Sequence, residues 1–122
     1  MKKALLFVDD SVIIRLSVTK ILRENDYEVT TCKEGKEALK TFKEDHFDLV
    51  LTDLEMNGMS GDELIKEIRI IDKKIPIIVM SDRYETIAIN EDIQAFLNKH
   101  ISARKLIETI EEVLNKSEQE RS

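Results

Sequence analysis

The sequence predicts an α/β fold: a doubly wound, five-stranded parallel sheet in the flavodoxin-like order 2-1-3-4-5, with helices on both faces. Three observations predict it. Five short apolar runs recur along the 122 residues, several without polar alternation, as strands buried on both faces do. Amphipathic segments of helical period separate them. An apolar content of 42% with three Gly and one Pro fits a compact chain with short connections. Right-handed crossovers then leave few topologies, and 2-1-3-4-5 suits this length. Residues 1–122 read as one domain, able to bury roughly two-thirds of the surface of the unfolded chain.

The first strand is Ala4–Val8. A helix over Val12–Asn25 follows, with Ile14, Val18, Ile21 and Leu22 on one face and Asp10 or Ser11 as N-cap. Val29–Cys32 is the second strand, and Gly35–Asp45 a helix that groups Ala38, Leu39 and Phe42. Leu49–Thr52 is the third strand. Ser60 and Glu63 then match the S-x-x-E capping box that opens a helix over Asp62–Ile71. Ile75–Met80 is the fourth strand, and Tyr84–Glu91 is too short and poorly periodic for more than a shortened fourth helix. After the fifth strand, Ala95–Asn98, Ser102 caps a last helix whose stripe is Leu106, Ile107, Ile110, Val113 and Leu114. "KSEQERS" has no apolar anchor, so residues from about 117 to 122 are expected to fray.

Composition excludes several functions. A formal charge of −6 with no basic cluster disfavours direct contact with nucleic acid. Cys32 is the single cysteine, which rules out an intrachain disulfide and a cysteine-based metal cluster and reads as a small buried hydrophobe. The apolar run of "MKKALLFVDD" ends at Val8, too soon for a secretory core, and no stretch reaches membrane-spanning length. A cytoplasmic protein is expected.

Chemistry gathers at the strand ends. The first strand runs into Asp9 and Asp10, the third into Asp53, the fourth into Ser81 and the fifth into Lys99. Singly, each has a plain explanation as a cap, a loop residue or a solvated charge. The topology brings all five to the carboxyl edge of the sheet, where doubly wound folds bind ligands. Three neighbouring carboxylates raise one another's pKa unless a cation intervenes. Lys99 offsets one charge, and a hard divalent ion suits the rest. The set reads as a site for Mg²⁺ and a phosphoryl group, with Asp53 as nucleophile. Neither G-x-x-x-x-G-K-[ST] nor G-x-G-x-x-G supplies a competing phosphate site.

"FVDDS", "LVLTDLEMNGMSGDEL", "IIVMS" and "FLNK" together resemble the receiver domain of bacterial two-component response regulators, over essentially the whole chain. The resemblance implies that Asp53 accepts a phosphoryl group from the phosphohistidine of a sensor histidine kinase or phosphotransfer protein. It implies that Asp10, Asp53 and the Glu55 backbone carbonyl ligate Mg²⁺, with Asp9 assisting. Ser81 and Lys99 would contact the phosphoryl oxygens, and Phe96 matches an aromatic switch position that responds to Ser81. Output would pass to a downstream protein target, without turnover of metabolites, from either a stand-alone regulator or part of a longer chain.

Departures from the family pattern carry their own expectations. His100 follows the lysine where the family has a proline in a cis peptide, so a trans Lys99–His100 bond is expected. Asp82 stands where a small residue is usual and adds a carboxylate beside the site. "SDRYETIAINEDIQAF" is about one helical turn shorter than the usual interval, and Asn57 replaces a common Pro. Glu55 and Arg83 are expected to modulate the site, either as an ion pair over it or as two independent solvated side chains. Two alternatives stand beside the phosphorylated receiver. One is a pseudo-receiver that binds partners without phosphorylation. The other is an aspartate-based phosphohydrolase, against which "TDLEM" lacks a second Asp at D-x-D spacing.

Overall fold

The computed structural model describes residues 1–82 and 92–121. Five parallel strands, β1 (Ala4–Val8), β2 (Glu28–Cys32), β3 (Leu49–Thr52), β4 (Ile77–Ser81) and β5 (Ala95–Asn98), form one sheet in the order β2-β1-β3-β4-β5. Among the described residues four helices cover it: α1 (Val12–Glu24), α2 (Gly35–Glu44), α3 (Gly61–Ile71) and α4 (Ala103–Arg121). Fold class and strand order are those expected. The segment Tyr84–Glu91, expected as a shortened helix, lies outside the described residues, as does Arg83.

The continuous apolar reading of the strands has a direct cause. Alternate residues face two cores: Leu6, Val8, Val50, Ile77 and Val79 pack towards α2 and α3, while Leu5, Phe7, Leu49, Leu51, Ile78 and Met80 pack towards α1 and α4. Helix starts follow the expected caps. Ser11 Oγ accepts from Ile14 N at 3.3 Å, Ser60 Oγ from Glu63 N at 3.2 Å and Ser102 Oγ from Lys105 N at 3.1 Å.

Two boundaries differ from expectation by more than one residue. β4 starts at Ile77, because Pro76 has no N–H to give and the Ile75 N–H is taken by Asp72 Oδ1 at 3.0 Å. At the other end, α4 continues to Arg121, through the residues expected to fray. Lys, Glu, Gln and Arg are good helix formers, and Glu118 pairs with Lys3 at the start of β1. No helix among the described residues is long and apolar enough to cross a membrane.

Cys32 is buried at the end of β2 with its Sγ 3.6 Å from Thr41 Oγ1. Burial pushes its thiol up to about 11. We expect a disulfide reagent at neutral pH to label the native protein far more slowly than the unfolded chain. Equal labelling rates would contradict the burial.

Candidate functional site

The backbone ladder fixes where the polar strand ends sit. Val8 pairs with Thr52, so Asp9 and Asp53 leave adjacent strands at one level, and Asp53 N donates to Val8 O at 2.9 Å. Ser81 pairs with Asn98, and Lys99 N donates to Ser81 O at 3.2 Å. Five side chains from four strands thereby meet at the carboxyl edge, as the sequence led us to expect.

Lys99 Nζ stands 2.9 Å from Asp9 Oδ2 and 2.9 Å from Asp53 Oδ2. Asp9 is fully buried, Asp53 is 3% exposed and Ser81 is 1% exposed, whereas Asp10 is exposed to solvent. Asp9 Oδ1 accepts from Ser11 N at 2.9 Å and Asp53 Oδ1 from Glu55 N at 3.3 Å. Burial pushes Asp53 up; Lys99, by hydrogen bond and charge, pulls it down, Asp9 adds to the rise, and the balance stays above the ordinary value. Burial also depresses the Lys99 ammonium, but Asp53 and Asp9 outweigh it and hold Lys99 above its ordinary value. Lys99 is therefore charged at any physiological pH.

Carboxylate oxygens of Asp9, Asp10 and Asp53 all lie within 4.8 Å of one another. Three carboxylates against one ammonium leave the cluster at −2, the charge a divalent cation cancels. Apart from its ion contact to Lys99, the buried Asp9 Oδ2 has no hydrogen-bond partner among the described residues. An all-oxygen set with such an atom fits a hard divalent ion. Above it opens a cleft of about 370 Å³ whose walls include Asp10, Asp53, Glu55, Ser81 and Asp82. A larger groove, about 570 Å³, runs along α1 beside Val12, Leu16 and Thr19 and holds none of these carboxylates.

Other expected residues fall as follows. Phe96 is half-buried on β5 against the core shared with α3. The Lys99–His100 peptide is trans, as expected for a non-proline residue. His100 Nε2 lies 3.2 Å from Asp82 Oδ1. Glu55 is exposed on the cleft wall.

Two residues that position the cluster were not anticipated. Arg15 Nη1 donates to the Asp9 carbonyl at 2.7 Å, tying α1 to the end of β1. Its signal was an arginine one helical turn past the Asp9–Asp10 pair. Gly61 opens α3 against the backbone of β3's exit: an added Cβ would overlap the Asp53 carbonyl oxygen and stand 2.6 Å from Leu54 Cα. Its signal was a glycine directly after the Ser60 cap, where a helix start needs none. Gly61→Ala is expected to cost about 1–3 kcal/mol of stability, because both contacts are backbone and cannot swing aside. Thermal unfolding checks it; an unchanged midpoint would show that Asp53's backbone yields freely.

The similarities to known proteins agree with this geometry. Residues 5–111 match the family model described as the response regulator receiver domain. Chemotaxis protein CheY of Bacillus subtilis is 33% identical over 120 residues, covering 94% of this chain and 100% of that protein. A CheY-like receiver domain protein from Methanospirillum hungatei superposes with a TM-score of 0.92 at 28% identity, covering 98% of this chain and 99% of that one. The response regulator TrrA of Thermotoga maritima, solved in complex with Mg(2+)-BeF, has a TM-score of 0.85 at 33% identity, covering 91% and 98%. The chain belongs to the receiver domain family of two-component response regulators.

Proposed function

We propose that this receiver accepts a phosphoryl group on Asp53 and signals by protein contact. The observation that supports it is the buried Asp53 carboxylate, held by Lys99 at 2.9 Å beneath an open cleft with Asp10 and Ser81 on its walls. Asp9, Asp10, Asp53 and the Glu55 carbonyl would hold Mg²⁺. When bound, the ion supplies positive charge that offsets the carboxylates and the incoming phosphoryl oxygens. A carboxylate oxygen of Asp53 attacks phosphorus, the P–N bond to a partner's histidine breaks, and the imidazole departs with the electron pair. Lys99 and the Ser81 hydroxyl bind the phosphoryl oxygens. Phe96, on β5 against the core shared with α3, follows the resulting shift in β4 and β5. The protein acts in the cytoplasm as a phosphorylated switch, without metabolite turnover.

A partner bearing the phosphohistidine needs a seat next to the cleft. Val12, Ile13 and Leu16, immediately after Asp10 and Ser11, are 59%, 78% and 69% exposed, an apolar patch unusual on a free helix face. Ile13→Asp is expected to slow transfer from the cognate phosphohistidine protein tenfold or more, a loss of about 1.4 kcal/mol, while leaving a small donor's rate unchanged. Equal slowing with both donors would place the effect in the site and not in docking.

The test of the function is incubation with a small phosphodonor, with and without Mg²⁺, followed by intact mass measurement. A Mg²⁺-dependent phosphoryl adduct in the wild type that is missing in Asp53→Asn is expected. No adduct from either a small donor or a cognate kinase would favour a partner-binding module that works unphosphorylated.

A further inference from the structure

Asp82 and His100 are 18 positions apart, yet the structure brings His100 Nε2 to 3.2 Å from Asp82 Oδ1 across the ends of β4 and β5. The trans Lys99–His100 bond and the His100 N–H, given to Asn98 Oδ1 at 2.8 Å, fix the turn that carries the imidazole. Asp82 also forms part of the cleft wall with Asp10, Asp53 and Glu55. The two side chains thus link the mouth of the site to an imidazole. Among the described residues the charges around this mouth are Asp9 and Asp10 after β1, Asp53 and Glu55 after β3, Asp82 after β4, and Lys99 and His100 after β5.

We propose that Asp82 and His100 form a charge-switched rim that sets how readily an anionic phosphodonor reaches Asp53. The proposal rests on the phosphoacceptor reading above. Lys99 is committed to Asp9 and Asp53, and among the described residues His100 is the group that pairs with Asp82. Protonated His100 cancels the Asp82 charge, and a dianionic donor meets a neutral rim. Neutral His100 leaves Asp82 as an extra negative charge on a cleft that already carries Asp10 and Glu55. Repulsion over a few ångströms at the water-lined mouth then slows access. The pair itself is exposed, its side chains 78% and 65% accessible, so it contributes little to stability and its substitution leaves the fold intact. The chemical step is unaffected: an Asp53 oxygen attacks phosphorus, the bond from phosphorus to the donor's leaving atom (oxygen in acetyl phosphate, nitrogen in phosphoramidate) breaks, and the leaving group takes the electron pair. The rim discriminates between donors by charge, favouring less negative ones as pH rises.

The experiment follows adduct formation by mass with acetyl phosphate and Mg²⁺ across the range in which histidine titrates, about pH 5.5 to 8. Wild type, Asp82→Asn, His100→Gln and the double variant are compared as rate ratios, which cancels the pH dependence of the shared site. We expect the double variant, whose rim is neutral at every pH, to match the wild type at the acidic end and to exceed it by roughly three- to tenfold at the alkaline end. His100→Gln should fall below the wild type at the acidic end and meet it at the alkaline end, and Asp82→Asn, one charge more positive than the wild type at every pH, should be faster throughout. With phosphoramidate, a less negative donor, the ratios should shrink. Ratios of His100→Gln or of the double variant to the wild type that do not change with pH would overturn the rim. No adduct in any of the four proteins would overturn the phosphoacceptor reading, and the rim with it.

Discussion

Replacing Lys99 with methionine is expected to destabilise the metal-free protein by about 3–5 kcal/mol at neutral pH. The Lys99 side chain is 9% exposed and stands 2.9 Å from each of two buried carboxylates, Asp9 and Asp53. Without the ammonium, two negative charges remain in a site that water hardly reaches, and one must take up a proton or the fold must loosen. Because Asp9 and Asp53 hold Lys99 above its ordinary value of 10.5, its contribution is fully present below that pH and is lost only as the pH rises through the higher folded value. Denaturation in a chelator measures the loss, and added Mg²⁺ should recover part of it. A loss under about 1 kcal/mol would mean that the carboxylates are already protonated or hydrated.

Asp53→Asn should act in the opposite direction on stability while removing the phosphoryl adduct altogether. Burial raises Asp53 above its ordinary value of 3.8 despite Lys99, so its ionised form is disfavoured in the fold. For a raised carboxylate the favourable contribution is complete below the unfolded value and is lost as the pH climbs through the folded one. Asparagine has no such loss. The variant's unfolding midpoint without metal should therefore match the wild type at acidic pH and exceed it at neutral pH by on the order of a few °C. Mg²⁺ should raise the wild type more than the variant. A variant less stable than wild type in chelator at neutral pH would show that the Lys99 pairing, and not burial, dominates at Asp53.

Much of this was legible because burial writes itself into sequence. Leu49–Thr52 is buried on both faces, so its apolar run had no alternation to confuse. Asp9, Asp53, Ser81 and Lys99 could be placed together because a parallel sheet aligns the carboxyl ends of its strands, whatever the details of packing. What escaped was decided by local hydrogen bonds or by close approach. The start of β4 moved because Asp72 took the Ile75 N–H ahead of Pro76. The end of α4 moved because Glu118 reaches Lys3, a contact between opposite ends of the chain. The role of Gly61 lies in the close approach of the Asp53 carbonyl, which residue spacing does not reveal. Asp82 and His100 each stood out as unusual, but their pairing depends on the turn that the trans peptide makes after Lys99.

Asp53, and no other carboxylate of the cluster, is expected to carry the phosphoryl group. Borohydride reduction of the phosphorylated protein, followed by peptide mass analysis, converts an aspartyl phosphate to homoserine and so marks the acceptor. Homoserine at position 53 alone, formed only when Mg²⁺ accompanies the donor, is the result this account predicts. Homoserine at position 9, 10 or 82, or a phosphoryl group retained on His46 or His100 with Asp53 unmodified, would contradict it.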